Sequence, residues 1–397
     1  MPDLPIYLDN HATTRVDPRV LQAMLPYFSE QYANAASITH SCGHAAKAAV
    51  ETARQTIAAA INADPREIIF TSGATESNNL AIYGTARHAR RRGDHAISVV
   101  SEHKAVLDPM LKLQKAGFEI NLLPVKQESA DDCGLIDLDQ LRDALRPDTC
   151  LVSVMMANNE IGIIQPIAAI GQLCREREIP FHTDAAQAFG KLQIDVRAMN
   201  IDLMSITAHK IYGPKGIAAL FIRRGSPRLR IEPQIDGGGH ENGMRSGTLN
   251  VPGIIGFAKA IELCQIDMQS EQNTIAELRH RLFAGIVAAV PDVHLNGPKF
   301  SERNWRLAGN LNCRFNLVDG EAMALNMHDL AVSTGSACTS ANPEPSHVLR
   351  AIGLSEDEAH SSIRFGLGRF NTAEEIDFAI ETVCRTVERL RKLSSMA

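Results

Sequence analysis

Two rhythms of apolar positions alternate along the first two thirds of the chain. Short apolar runs at 67–70, 96–100, 120–125, 151–156, 180–182, 202–206 and 217–222 read as strands buried on both faces. Between several of them the apolar residues recur every three to four positions, over 45–61, 77–91, 105–116, 138–145 and 167–177, and those stretches read as helices. Strands alternating with helices predict an α/β fold with a mainly parallel sheet covered on both faces. Near residue 265 the rhythm changes: helical patterns at 271–290, 321–327 and 374–393 mix with strand patterns at 309–315 and 362–365. That remainder reads as a smaller α+β unit. Upstream, 6–8 is a short apolar run broken by the polar stretch 9–14, and 18–28 has a helical pattern.

Composition narrows the classes. With 397 residues, 45% hydrophobic and 22% charged, the chain can bury a large core. A net charge of −6 argues against a non-specific nucleic-acid binder. No apolar run is long enough to cross a bilayer, and the opening residues 1–5 lack the pattern of a secretory signal. The eight cysteines form no Cys-x-x-Cys pair, so neither a structural zinc site nor a disulfide framework is expected. A reducing, cytoplasmic setting is expected, with most thiols inert in the core.

In an open sheet of this type, ligands sit beyond the carboxyl ends of the strands, and most of the polar clusters fall there. Lys210 follows a strand and precedes the turn formers Gly213, Pro214 and Gly216. Such an amine can form a Schiff base with pyridoxal phosphate if its surroundings let it lose a proton; otherwise it is a solvated turn lysine. Residues 71–76 end a strand and open a helix, which suits a phosphate or simply caps the helix. Asp184 could hold a pyridinium nitrogen, with Gln187 near the ring oxygen, or it could cap a helix. His103 could stack on a flat cofactor and pass protons, or it is a structural histidine. Asn159 could bond the ring oxygen or a substrate carboxylate, or simply build a turn, and Arg364 offers a fork that suits a carboxylate. The glycine-dense segment 237–248 permits close approach of a ligand or a second subunit, or is a flexible loop. Cys338 sits among small residues in 333–342, unlike the other cysteines, and a mobile thiol there could carry a group outward.

Taken together and in this order, segments 71–78, 158–162, 209–216, 244–249 and 335–340 resemble those of the cysteine desulfurases, pyridoxal-phosphate enzymes of the class-V aminotransferase family. The resemblance spans about 6–393. It implies a fold-type I homodimer, with a large domain over 15–265 and a small one formed by 1–14 and 266–397. It also implies conversion of L-cysteine to L-alanine, with sulfur passing to Cys338 as a persulfide for iron–sulfur cluster assembly and other sulfur-transfer pathways. By position, Lys210 resembles the lysine that carries pyridoxal 5'-phosphate. Ala74, Thr75, Thr207 and His209 match cofactor and phosphate contacts, and Thr248 matches a phosphate contact supplied by the other subunit. His103 matches the stacking ring, Asp184 and Gln187 the partners of the ring nitrogen and oxygen, and Asn159 and Arg364 the contacts of the substrate carboxylate. The implied partners are a second copy, L-cysteine, and an iron–sulfur scaffold or other sulfur acceptor, where Cys338 could transiently ligate iron. Neither nucleic acid nor membrane is implied. A selenocysteine lyase, another pyridoxal-phosphate enzyme of this fold, or a non-enzymatic assembly protein are the alternatives. The chain departs from the family pattern at Ala35, where Pro is common, and at Gly366, where Ser is usual. Its 126–134 loop looks longer, and it ends without the tail some members use to dock a scaffold.

Overall fold

The computed structural model describes residues 4–89, 93–225, 229–301, 305–334 and 344–394, so Cys338 and most of its loop lie outside the described residues. Thirteen strands occur among them: β1 Ile6–Tyr7, β2 Ile68–Thr71, β3 His95–Val99, β4 Glu119–Leu123, β5 Thr149–Ser153, β6 Phe181–Asp184, β7 Leu203–Thr207, β8 Ala218–Ile222, β9 Val293–Leu295, β10 Asn310–Phe315, β11 Leu330–Ala331, β12 Ser333–Thr334 and β13 Ser362–Gly366. Seven form one sheet in the order β2-β8-β7-β6-β5-β3-β4. All its pairings are parallel except those of β8, which runs antiparallel to both β2 and β7. The expected mainly parallel sheet is therefore present, with one reversed strand.

That reversal follows from the local sequence. β7 and β8 are joined by the short segment 208–217, too short for the crossover a parallel pair requires. Tyr212 and Gly216 take positive φ values of 65° and 77° and fold the connection tightly. Lys210 lies in this connection.

A second, antiparallel sheet has the order β12-β13-β10-β9, and β1 pairs with β11. Two large apolar cores correspond to the two sheets. One gathers residues from Val20 to Cys264 and also Leu307 and Val348 to Ala359; the other joins Ile6 and Leu8 to side chains from Ile275 to Val387. The first strand of the chain thus packs with its last third.

The element boundaries differ from the sequence reading where capping decides them. The pattern over 18–28 is two helices, Pro18–Met24 and Pro26–Ser29, because Pro26 starts a new one. The helix expected from 45 begins at Ser41, because the His40 side chain accepts from the Gly43 amide. Val251–Ile266 is a helix that periodicity does not reveal, since it is apolar on nearly every side. Five cysteines, 133, 150, 174, 264 and 313, are buried as expected, while Cys42 is exposed. Burial pushes the Cys133 and Cys313 thiols up to about 12. Among the described residues no helix is long and apolar enough to cross a membrane, and no cluster of three metal-ligating side chains occurs.

Candidate active site

A cavity of about 490 Å³ opens beyond the carboxyl ends of the central strands. Its lining includes Ala74, Thr75, His103, Asn159, Asp184, Gln187, Thr207, His209 and Lys210. Nine positions singled out in the sequence, scattered over more than 130 residues, therefore meet in one place.

Strand ends and helix starts put them there. Helix Ala74–Ala89 begins directly after β2, so its first amides are at the cavity wall. A Cβ built on Gly73 would meet nothing within 4 Å, which leaves the backbone open to a ligand. Glu76 accepts from the Ser72 amide at 2.9 Å and pairs with Arg245 at 2.8 Å, fixing this corner.

Asp184 ends β6 and is buried. Its carboxylate accepts from Asn78 Nδ2 at 2.6 Å and from the Ala186 amide at 2.9 Å. A carboxylate has about four acceptor positions, so two remain. His103 caps helix Lys104–Lys115, its Nδ1 accepting from the Ala105 amide at 3.0 Å. In the neutral ring the proton is therefore on Nε2.

Lys210 Nζ donates to the carbonyl of His11 and, at 2.6 Å, to that of Ala12. No carboxylate pairs with it in these contacts. Burial, then the nearby charges of Lys191 and Arg364, lower its pKa to about 7. The neighbouring His209 bonds Thr13 Oγ1 at 3.1 Å, and burial followed by Lys210 and Lys215 lowers its pKa to about 4. It is neutral near pH 7.

Asn158 and Asn159 divide two tasks. Asn158 builds the turn, its Oδ1 accepting from the amides of Glu160 at 2.7 Å and Ile161 at 2.9 Å. That leaves the half-buried Asn159 side chain at the cavity.

Arg364 and Thr248 do not line the cavity. Arg364, on β13, is held behind Asn159: it donates to the Asn159 carbonyl at 3.2 Å, to Asp9 at 2.7 Å and to Ser333 Oγ at 2.9 Å. Thr248 is exposed. Its loop is anchored, because buried Glu241 pairs with Arg54 at 2.7 Å and accepts from the Phe70 amide at 2.7 Å.

The residues that sequence reasoning missed come from the polar stretch 9–14, which looked like a simple strand break. His11 is buried, and it and Gln187 share two bonds: Gln187 Nε2 donates to the His11 carbonyl at 2.8 Å, and Gln187 Oε1 lies 3.0 Å from His11 Nδ1. Asn10 donates to the Gly366 carbonyl at 2.8 Å. Six consecutive polar or small residues after a two-residue strand were the available signal. Asn78, one helical turn beyond Ala74, was missed as well.

The model of the aminotransferase class-V family matches residues 6–378. A probable mitochondrial cysteine desulfurase of Schizosaccharomyces pombe is 54% identical over 99% of this chain and 76% of its own length. A cysteine desulfurase IscS of Anaeromyxobacter dehalogenans is 52% identical over 99% of this chain and 95% of its own. A solved NifS-like protein superposes with a TM-score of 0.89 at 34% identity, covering 97% of this chain and all of the other. The chain belongs to the class-V aminotransferase family, as a member of its cysteine desulfurase branch.

Proposed function

We propose that the cavity holds pyridoxal 5'-phosphate on Lys210, and that the chain uses it to convert L-cysteine to L-alanine while the sulfur remains on Cys338 as a persulfide. One observation carries this reading: a lysine amine with a pKa near 7 shares a cavity with a buried carboxylate and a helix start. These residues fit the cofactor. The open backbone at Gly73 suits a phosphate, and Asp184 keeps free acceptor positions for a protonated ring nitrogen. When bound, the cofactor supplies an electron sink for breaking the substrate Cα–H bond.

The protein groups take the following roles. The amides at Ala74 and Thr75, with Thr207 and His209, hold the phosphate. Asp184 keeps the ring nitrogen protonated, and His103 covers the ring face. Gln187 has one amide hydrogen left for the ring oxygen, the other being donated to His11. Lys210, neutral at working pH, takes the proton from the substrate α-carbon. Asn159 and Arg364 orient the substrate carboxylate. The Cys338 thiolate attacks the substrate sulfur, so the carbon–sulfur bond breaks as the sulfur–sulfur bond forms; the electron pair stays with the β-carbon, which takes up a proton on the way to alanine.

The active unit in this reading is a homodimer in which Thr248 reaches the neighbour's phosphate. Exposure of Thr248 outside its own cavity supports this, as do the exposed apolar side chains of Leu21, Leu25, Phe28, Tyr32 and Ile38. The sulfur acceptor is an iron–sulfur scaffold or a similar protein in a reducing, cytoplasmic setting.

Mass spectrometry after one turnover with cysteine and no reductant tests the reading. The expected result is one added sulfur on the peptide containing Cys338. Sulfur on Cys42 instead would overturn the assignment.

A further inference from the structure

The sulfur-transfer reading leaves His11 without a role, although it is buried against two cavity residues. We propose that His11 is a positioning residue: its imidazole locks the Gln187 amide with nitrogen toward the cofactor, and its carbonyl helps aim the Lys210 amine. The inference rests on the cofactor reading above.

The hydrogen-bond pattern fixes the orientation. Gln187 Nε2 donates to the His11 carbonyl, so Gln187 Oε1 is the atom facing His11 Nδ1. Lys191 Nζ also donates to Gln187 Oε1, at 3.3 Å. A flipped amide would set oxygen against the His11 carbonyl and its NH₂ against the Lys191 ammonium. Nδ1 of His11 therefore carries the proton. Its Nε2 is buried with no partner among the described residues.

The ring stays uncharged, because burial, then Lys191 and Arg364, push its pKa well below the usual imidazole value, and Lys210 adds to this. The neutral ring thus acts as a donor that adds no positive charge beside Lys191 and Arg364. With its two hydrogens given to the carbonyls of His11 and Ala12, a neutral Lys210 amine points its lone pair away from them.

Gly366 makes room for this arrangement. A Cβ there would come within 2.9 Å of the Asn10 and His11 amides and 3.1 Å of the His11 ring.

The test compares His11→Leu, Gln187→Leu and the double variant for the Kd of pyridoxal phosphate and for the visible absorption band of the loaded protein. His11→Leu is expected to weaken binding about fivefold to tenfold and to shift the band. In the Gln187→Leu background it should add less than about twofold, because the locked amide is already gone. His11→Asn, whose amide nitrogen can stand in for Nδ1, should restore both readouts. Fully additive effects, unchanged readouts in His11→Leu, or an Asn variant no better than Leu would overturn the proposal. If His11→Leu does not fold, as judged by circular dichroism of the apoprotein, His11→Ser takes its place in the cycle under the same criteria. A wild-type protein that binds no pyridoxal phosphate would instead overturn the cofactor reading itself.

Discussion

In the proposed function two basic side chains from different sheets serve one site, and their surroundings are opposite. Lys210, in the connection after β7, donates to the neutral carbonyls of His11 and Ala12, and burial lowers its pKa to about 7. Arg364, on β13, is paired with Asp9 at 2.7 Å and bonded to Ser333 and Asn159. Carbonyl oxygens satisfy an amine without cancelling the cost of burying its charge, so the amine can give up its proton. A carboxylate holds the guanidinium in place. In that reading one site holds a base and a fixed charge, distinguished by the partners each sheet supplies.

Removing the amine should break this comparison most severely. Lys210→Ala is expected to lower turnover of cysteine by at least about a hundredfold to ten-thousandfold. Borohydride reduction should label Lys210 with pyridoxyl in the wild type, read by peptide mapping, and a label on Lys215 would contradict the assignment. Arg364→Ala comes next. Loss of a charged contact whose partner is left buried costs about 2–5 kcal/mol, so kcat/KM for cysteine should collapse while the cofactor spectrum persists. Loss of the spectrum with cysteine binding intact would reverse the roles of the two cations.

Asp9→Asn sharpens the contrast by taking the carboxylate from Arg364 and leaving the arginine. An increase in KM of about tenfold with kcat nearly unchanged is expected, from the loss of one charge-assisted bond. Steady-state kinetics at constant salt checks it, and a fall in kcat alone would show that Asp9 acts on chemistry.

The smallest effect concerns pH. With the Lys210 pKa lowered in the folded apoprotein, the unfolded chain binds more protons between about 7 and the ordinary lysine value. Stability contributed by this group is therefore at its lowest below about pH 7 and rises with pH across that window. Lys210→Met should flatten the rise of Tm from pH 7 to higher pH. Lys191, lowered to about 8 by burial, keeps part of the slope in the variant. An identical slope in the two proteins would mean that Lys210 is not desolvated.

Much of the large sheet was legible, because its strands are short apolar runs and its helices are periodic. β8 was found as a strand, but its reversed direction depends on the tight connection at Tyr212 and Gly216, where the non-glycine positive φ at Tyr212 has no compositional mark. Lys210, Asp184 and His103 were legible because each lies at or just beyond the end of a strand, where an open sheet places ligands. His11 was not. Its meaning depends on Gln187, 176 positions later, and no local pattern encodes such a pairing. The 251–266 helix was missed for the opposite reason: it is surrounded by core on nearly all sides, so burial erased its period.

The bonds from residues 7–10 to residues 364–371 also set a timetable for synthesis. Asn10 bonds Gly366 across 356 positions, and Asn371 donates to the Tyr7 carbonyl. A nascent chain on the ribosome can complete all seven strands of the large sheet once Ile222 has emerged. The wall that carries the carbonyls of His11 and Ala12 can bond Gln187 early, but its bonds to β13 form only when that strand follows, some 140 residues later. The lysine is made early, and the Arg364 charge that helps to lower its pKa is made late, so the amine meets its final electrostatics only once β13 is in place.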